Sequence, residues 1–173
     1  MNIFILSWII EECARFHCDS HCVKMILETS QILSTCWHAV NPVEASALLE
    51  ENKIYRKTHI NHPCSIWARE CKENYIWLCH LGIALCREYA FRYNKKITDH
   101  KCYAKLYFFI HNIPPNLKGN KTNPGYITKP KLAMPDTYKS DDTVYSYRKY
   151  YLNEKSHLFK WKNRPKPYWI PVD

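Results

Sequence analysis

The sequence predicts an all-α fold, one compact helical domain over residues 1–173 with a long proline-containing loop and an aromatic, basic carboxy-terminal tail. Three observations lead there. Apolar residues recur at helical spacing through most of the chain. The long stretch without that spacing, after residue 111, concentrates five prolines and two glycines. Finally, 173 residues, 46% of them apolar and 14% aromatic, are enough to bury a core without disulfide or metal staples. No polar tract or repeat points to disorder or to a solenoid.

The elements follow in order. After a short apolar opening, Asn2 to Ile10, the segment from Glu11 to Val40 lacks proline and glycine. It repeats Ala14, Cys18, Cys22, Ile26, Leu33, Trp37 and Val40 on one side, which predicts one helix. Asn41-Pro42 opens a charged connecting segment whose first part, to Asn52, suits a short extra helix. His62-Pro63 places proline where a helix begins, and Ile66, Trp67, Leu78, Leu81, Leu85 and Tyr89 form a stripe that predicts a second long helix to Asn94. A third is expected over residues 99–111. The proline-rich stretch to Pro135 must be a loop, and a final helix is expected over 141–162 before the tail Arg164-Pro165-Lys166-Pro167-Tyr168-Trp169.

Composition narrows the setting. Nine cysteines without a Cys-x-x-Cys pair, and an opening without a basic leader region, suggest reduced thiols in a cytosolic or nuclear compartment. Cys64, Cys71, Cys79 and Cys86 share one helical face and are read as core packing rather than a metal site. No apolar run is long enough to span a bilayer. The net charge of +9 is uneven: residues 1–50 carry 2 Lys/Arg against 6 Asp/Glu, residues 51–110 carry 11 against 5, and residues 111–173 carry 12 against 5. Such a surface attracts a polyanion in a salt-dependent way. Arg69, Lys72, Lys160, Lys162, Arg164 and Lys166 are candidate phosphate contacts, and Tyr168 and Trp169 either stack on bases or cap the core.

His17, His21, Lys24 and Glu28 stand at i, i+4, i+7 and i+11, so on one continuous helix they share a face. Two histidines aligned with a lysine and a glutamate among apolar neighbours suggest a lined cleft. A partly desolvated glutamate can stabilise a sugar oxocarbenium ion or move a proton, and a neutral amine can attack C1′ of a deoxyribose to form an imine. Those are the parts of a base-excising enzyme that also cleaves the strand.

The run Cys18-Asp19-Ser20-His21 with Glu28 resembles the pyrimidine-dimer DNA glycosylases of bacteriophages and algal viruses, the endonuclease V type, in which a glutamate follows the histidine by seven residues. The likeness continues through His62-Pro63-Cys64 and Trp67, Leu81, Leu85 and Glu88, then Met134-Pro135-Asp136-Thr137-Tyr138 with Asp142, and finally Glu154-Lys155, Arg164-Pro165 and Tyr168-Trp169. It is patchy but collinear, with extra residues around 41–60 and 112–133. It implies an all-α monomer that kinks duplex DNA, flips a nucleotide, and uses an amino-terminal α-amine with the helix glutamate. No cofactor or metal is implied. A virus with an AT-rich genome suits the Lys-, Asn-, Ile- and Tyr-rich composition.

On this chain the resemblance makes Glu28 the catalytic carboxylate and places His21, with His17, on the active-site face. The family exposes a threonine amine after removal of the initiator methionine. Asn2 is too large for efficient removal, so the amine is that of Met1 or is blocked by acetylation; Met1 is the preferred nucleophile, with Lys24 as the alternative. An α-amine of ordinary pKa is about one-third neutral near pH 7.5, whereas an ordinary lysine is only about 0.1% neutral. Where the family grips phosphates with arginines around the glutamate, this chain has Leu27, Thr29 and Gln31, which leaves the lesion open.

Two rival readings stand beside this one. His17 and His21 on consecutive turns, completed by His59, His62 or Glu28, suit a metal-dependent nuclease. The basic residues, with Lys95 and Lys96, suit a non-enzymatic nucleic-acid binder.

Overall fold

The computed structural model describes residues 1–171. Its seven α-helices are α1 (Ile10–Phe16), α2 (Asp19–Val40), α3 (Pro42–Glu50), α4 (Pro63–Ala68), α5 (Lys72–Tyr93), α6 (Tyr103–His111) and α7 (Thr143–Lys155), and there is no strand among the described residues. The all-α expectation holds. None of these helices is long and apolar enough to cross a membrane.

α2 and α5, each 22 residues, lie against each other at the centre. Their contact is close because Gly82 offers no side chain. A Cβ there would fall 2.7 Å from Leu106 Cδ2 of α6 and 3.0 Å from Thr29 Cγ2 of α2. Hydroxyls inside α2 cost little, since Ser30 donates to the Ile26 carbonyl at 2.9 Å and Ser34 to the Ser30 carbonyl at 2.7 Å. All nine cysteines are buried and unpaired.

Residues 3–6 form no regular element, yet they are as buried as any helix, from 0% exposed at Leu6 to 4% at Phe4. Their polar backbone groups are met locally: Ile3 N–H by the Asn2 side chain, the Phe4 carbonyl by the Cys13 thiol, and the Leu6 carbonyl by Arg148 at 2.8 Å. Phe4 stacks on His21 at 4.8 Å and meets Tyr151 edge-on. The chain therefore begins as a strap through the core.

Two expected helices are each split. The helix expected over 11–40 breaks at His17 and Cys18, which are both extended. The cause lies 75 residues away. Arg92, fully buried on α5, donates to the carbonyls of His17 at 2.8 Å and Arg15 at 2.9 Å, and to Asp19 at 2.9 Å, while Cys18 N–H goes to the Tyr151 hydroxyl. A guanidinium holding carbonyls that would otherwise serve the helix ladder stabilises the break. The helix expected from Pro63 to Asn94 is interrupted between Ala68 and Lys72. There Asn74 takes the Trp67 carbonyl, and Lys72 N–H turns to the Lys118 carbonyl. Asn94, in the left-handed region at φ 50°, then ends α5.

The remaining boundaries shift modestly. The segment expected to be helical over 99–111 opens with a 3₁₀ turn, Ile97–Asp99, before α6. Residues 112–135 carry no regular element, as expected of a proline-rich loop. α7 starts where the Asp142 side chain caps Tyr145 N–H at 2.9 Å, and it stops at Lys155 rather than reaching 162. The tail that follows folds back onto α1 and α2, with Asp19 N–H donating to the Lys160 carbonyl at 2.8 Å and Trp161 Nε1 to the Phe16 carbonyl at 3.1 Å.

Arg92 also pairs with Glu88, at 2.8 Å, and so ties α5 to the α1–α2 break through buried charge. Breaking a buried pair costs about 3–5 kcal/mol because the surviving charge has no water. Arg92→Met is expected to lower the stability measured by urea unfolding by that amount. A loss as small as that of an exposed pair, below about 1 kcal/mol, would contradict this role.

Candidate active site

The buried strap delivers the amino terminus to α2. Met1 N lies 3.8 Å from Glu28 Oε2, and the same oxygen accepts the Asn2 N–H at 2.8 Å. Glu28 Oε1 faces Lys24 Nζ at 3.4 Å, one helical turn earlier. The Glu28 side chain is 10% exposed and that of Met1 only 4%, while Met1 as a whole is half-buried. What water reaches at Met1 is therefore main chain. A carboxylate in this position offers one oxygen to the terminus and one to a surface cation.

Asn2 anchors the arrangement. Its side chain donates to the Ala133 carbonyl at 2.9 Å and accepts from Ile3 N–H, from the Cys64 thiol and from the Tyr147 hydroxyl. One amide thus connects the strap to α4, to α7 and to the end of the long loop. Met1 itself is held by Ser65, whose hydroxyl donates to its sulfur at 3.8 Å.

His62 completes the surroundings. Its Nδ1 accepts Cys64 N–H at 3.2 Å as the cap of α4, which fixes the neutral ring with its proton on Nε2. Burial first, then the charges of the amino terminus and of His59, hold its pKa below the ordinary histidine value, with Glu28 opposing. His62 is thus within the electrostatic reach of both amine and carboxylate. In sequence it was legible only as a helix start or a spare metal ligand.

The face expected from His17, His21, Lys24 and Glu28 does not form as one. His17 sits in the break before α2, 1% exposed, with Nδ1 on the Cys13 carbonyl at 2.8 Å and Nε2 meeting no partner. His21 is 5% exposed, stacked on Phe4, with Nδ1 paired to the Tyr151 hydroxyl at 2.8 Å. Only Lys24 and Glu28 keep the expected partnership. The two histidines belong to an aromatic core layer, and the metal reading loses its geometry: no cluster of three His, Cys, Asp or Glu side chains suited to a metal exists among the described residues.

The candidate phosphate contacts fall in two neighbourhoods. Arg69 donates to the Ile60 carbonyl at 2.6 Å beside the α4–α5 turn, next to exposed Lys72. Lys160, Lys162, Arg164 and Lys166 lie in the tail. Arg164 is spent internally, forming a two-pronged pair with Glu88 at 2.8 and 2.9 Å and lying 3.8 Å over Phe91. Lys160 and Lys162 are exposed, with Lys162 beside Tyr93, and Lys166 reaches the Pro171 carbonyl. Tyr168 is 75% exposed, whereas Trp169 packs against Phe16 and Tyr151, so the tail's two aromatics divide between surface and core.

The fold and site together define a helical protein that presents an amine and a carboxylate at one point, with one exposed lysine beside them. The chain belongs to the pyrimidine dimer DNA glycosylase family, whose sequence model matches residues 1–101 of 173. The family is one of DNA-acting enzymes. The match includes Met1, Lys24, Glu28 and His62 and leaves out α6, the long loop, α7 and the tail. Neither a curated protein nor a solved structure matches the chain significantly.

The buried histidines make stability depend on pH. Burial pushes His17 down to about 4 and His21 to about 3, from 6.5 in an unfolded chain. Below pH 6.5 the unfolded chain binds protons that the native state refuses, so stability is full above that pH and falls as pH drops. By pH 4 the loss is on the order of 3 kcal/mol for each histidine. Urea unfolding at pH 7.5, 5.5 and 4.5 should show the decline, and His21→Phe should remove roughly half of it, leaving the part due to His17. An equal decline in that variant would contradict the assignment to His21.

Proposed function

We propose that this protein excises a damaged or modified pyrimidine from duplex DNA with the Met1 α-amine as nucleophile and Glu28 as its carboxylate. The observation that carries the proposal is the amine held 3.8 Å from a carboxylate that is 10% exposed. The amine nitrogen attacks C1′ of the deoxyribose, the glycosidic bond breaks, and the base leaves with the bonding electrons and a proton. Glu28, as an anion, stabilises the positive charge that develops on the sugar, then takes the proton that the attached nitrogen loses and passes it to the departing base. The C1′–O4′ bond then opens, O4′ taking a proton as the nitrogen forms the imine, and the imine permits loss of a C2′ proton and departure of the 3′ phosphate, which is the lyase step.

The surroundings suit this chemistry. Neutral His62 adds no further charge beside the amine and its carboxylate, so Glu28 faces only the terminus and Lys24. Lys24 is less suited to be the nucleophile, because its side chain is 64% exposed and paired with Glu28, and so lacks the desolvation that an attacking lysine requires. We assign it instead to the DNA side of the site, as a phosphate contact beside the carboxylate. A monomer acting on a flipped nucleotide is the working form, with exposed Lys72, Lys160 and Lys162 on the backbone.

The test is reaction with duplexes carrying a pyrimidine dimer or an abasic site, in the presence of borohydride, for the native protein and Glu28→Gln. The native protein should give a covalent adduct that peptide mass mapping places on Met1. Glu28→Gln should lose at least about 100-fold in turnover and keep its affinity for the duplex. Undiminished turnover in the variant would refute the mechanism. Binding without turnover in the native protein would leave a DNA-binding protein.

A further inference from the structure

α6 lies beyond the residues that the family model matches, and its outer face forms a groove with the residues that follow α3. The groove has a volume of about 530 Å³. Ala104 and Phe108, one turn apart on α6, line it. Tyr107 and His111 form one wall, their rings 4.3 Å apart and the His111 ring fixed by Nδ1 on the Tyr107 carbonyl at 2.8 Å. Asn52, Lys53 and Tyr55 form the second wall.

This second wall is held in shape by an unusual lysine. Lys105 is 7% exposed, and its ammonium donates to both the backbone and the side-chain carbonyl of Asn52 while lying 4.7 Å over the Tyr55 ring. Asn52 is in the left-handed region at φ 57°, a conformation that costs energy in a residue with a side chain. The buried ammonium offsets that cost and adds positive potential beneath the groove. Lys53 and Lys101 stand exposed at its rim, and no acidic side chain lines it. Glu50 and Glu51, at the end of α3, are exposed and are not part of the lining.

We propose that this groove binds an unpaired DNA strand, stacking a base against Tyr107 and taking the flanking phosphates on Lys53 and Lys101. A phosphate explains the exclusively positive rim. A base explains an aromatic wall in which Tyr107 is left 54% exposed, and in a duplex the base faces are already stacked on one another. The segment at Tyr55 runs beside the carboxy-terminal half of α2, where its carbonyl meets His38 at 2.9 Å. His38 is ten residues beyond Glu28, about 15 Å along the helix. The groove is therefore separate from the amine site and lies further along α2. The inference rests on the chain acting on DNA and not on the chemistry assigned to Met1.

Fluorescence anisotropy with labelled dT12 over a range of KCl concentrations tests it, comparing the native protein, Tyr107→Ala, Tyr107→Phe and Lys53→Ala/Lys101→Ala. All three side chains are exposed, so melting temperatures should not move. Tyr107→Ala should weaken binding about 5- to 150-fold, the range for loss of one stacked base. Tyr107→Phe should restore it. The double lysine variant should reduce the salt slope by about 1.4, the value for two single-strand phosphates. Adduct formation on a short abasic duplex should be unchanged in all of them, and Glu28→Gln should bind dT12 as the native protein does. Absence of dT12 binding by the native protein, or an affinity and salt slope unaltered by the substitutions, would overturn the proposal whatever happens at Met1.

Discussion

Everything at the candidate site depends on burying the start of the chain. A free amino terminus is normally the most mobile part of a protein, and its charge favours water. Here Ile3 to Leu6 are buried in the core between 0% and 4% exposed, and the side chain of Asn2 spends its amide on four partners from the strap, α4, α7 and the long loop. Burial of the apolar run provides the driving force, and Asn2 supplies direction. Glu28 then has a terminus to face, fixed at the one residue that carries a backbone amine. The same carboxylate receives Asn2 N–H and faces the terminal amine, so that the fold and the candidate site draw on one side chain.

The charged residues serve two separate purposes. Glu88, Arg92, Arg164 and Asp19 form an internal network that joins α5, the α1–α2 break and the tail. They hold architecture, and their guanidinium groups are occupied. The lysines remain largely at the surface, where strongly hydrated ammonium groups suit phosphate contact. A net charge of +9 therefore understates the division of labour: most of the charge available to DNA is lysine, while Arg69, Arg92 and Arg164 face carbonyls and carboxylates.

The helical plan was legible in the sequence because apolar spacing is a local property. So was the Lys24–Glu28 pair, which needs only one turn of helix. The break at His17 was not legible, since Arg92 causes it from 75 residues away and nothing local in Glu11–Val40 marks it. With the break missed, His17 and His21 read as a polar face, when in fact Phe4 and Tyr151 close over them. Arg164 read as a phosphate contact for the same reason, its partner Glu88 being distant in sequence. The meeting of Met1 with Glu28 was implied by resemblance alone, and His62 joined them only once α4 was in place. Long-range pairing decided each of these, and residue spacing carries no record of it.

The central claim is that the position of the terminal amine, rather than the presence of an amine, makes the site. Its most direct test is a chain extended by a single glycine ahead of Met1. One residue moves the terminus by about 3.8 Å, the distance between consecutive Cα atoms, while leaving Glu28, Lys24 and the core in place. The extended protein should bind abasic duplex with native affinity, melt at the native temperature and form almost no borohydride-trapped adduct. Full adduct formation by the extended chain would contradict the claim and return the nucleophile to a side chain.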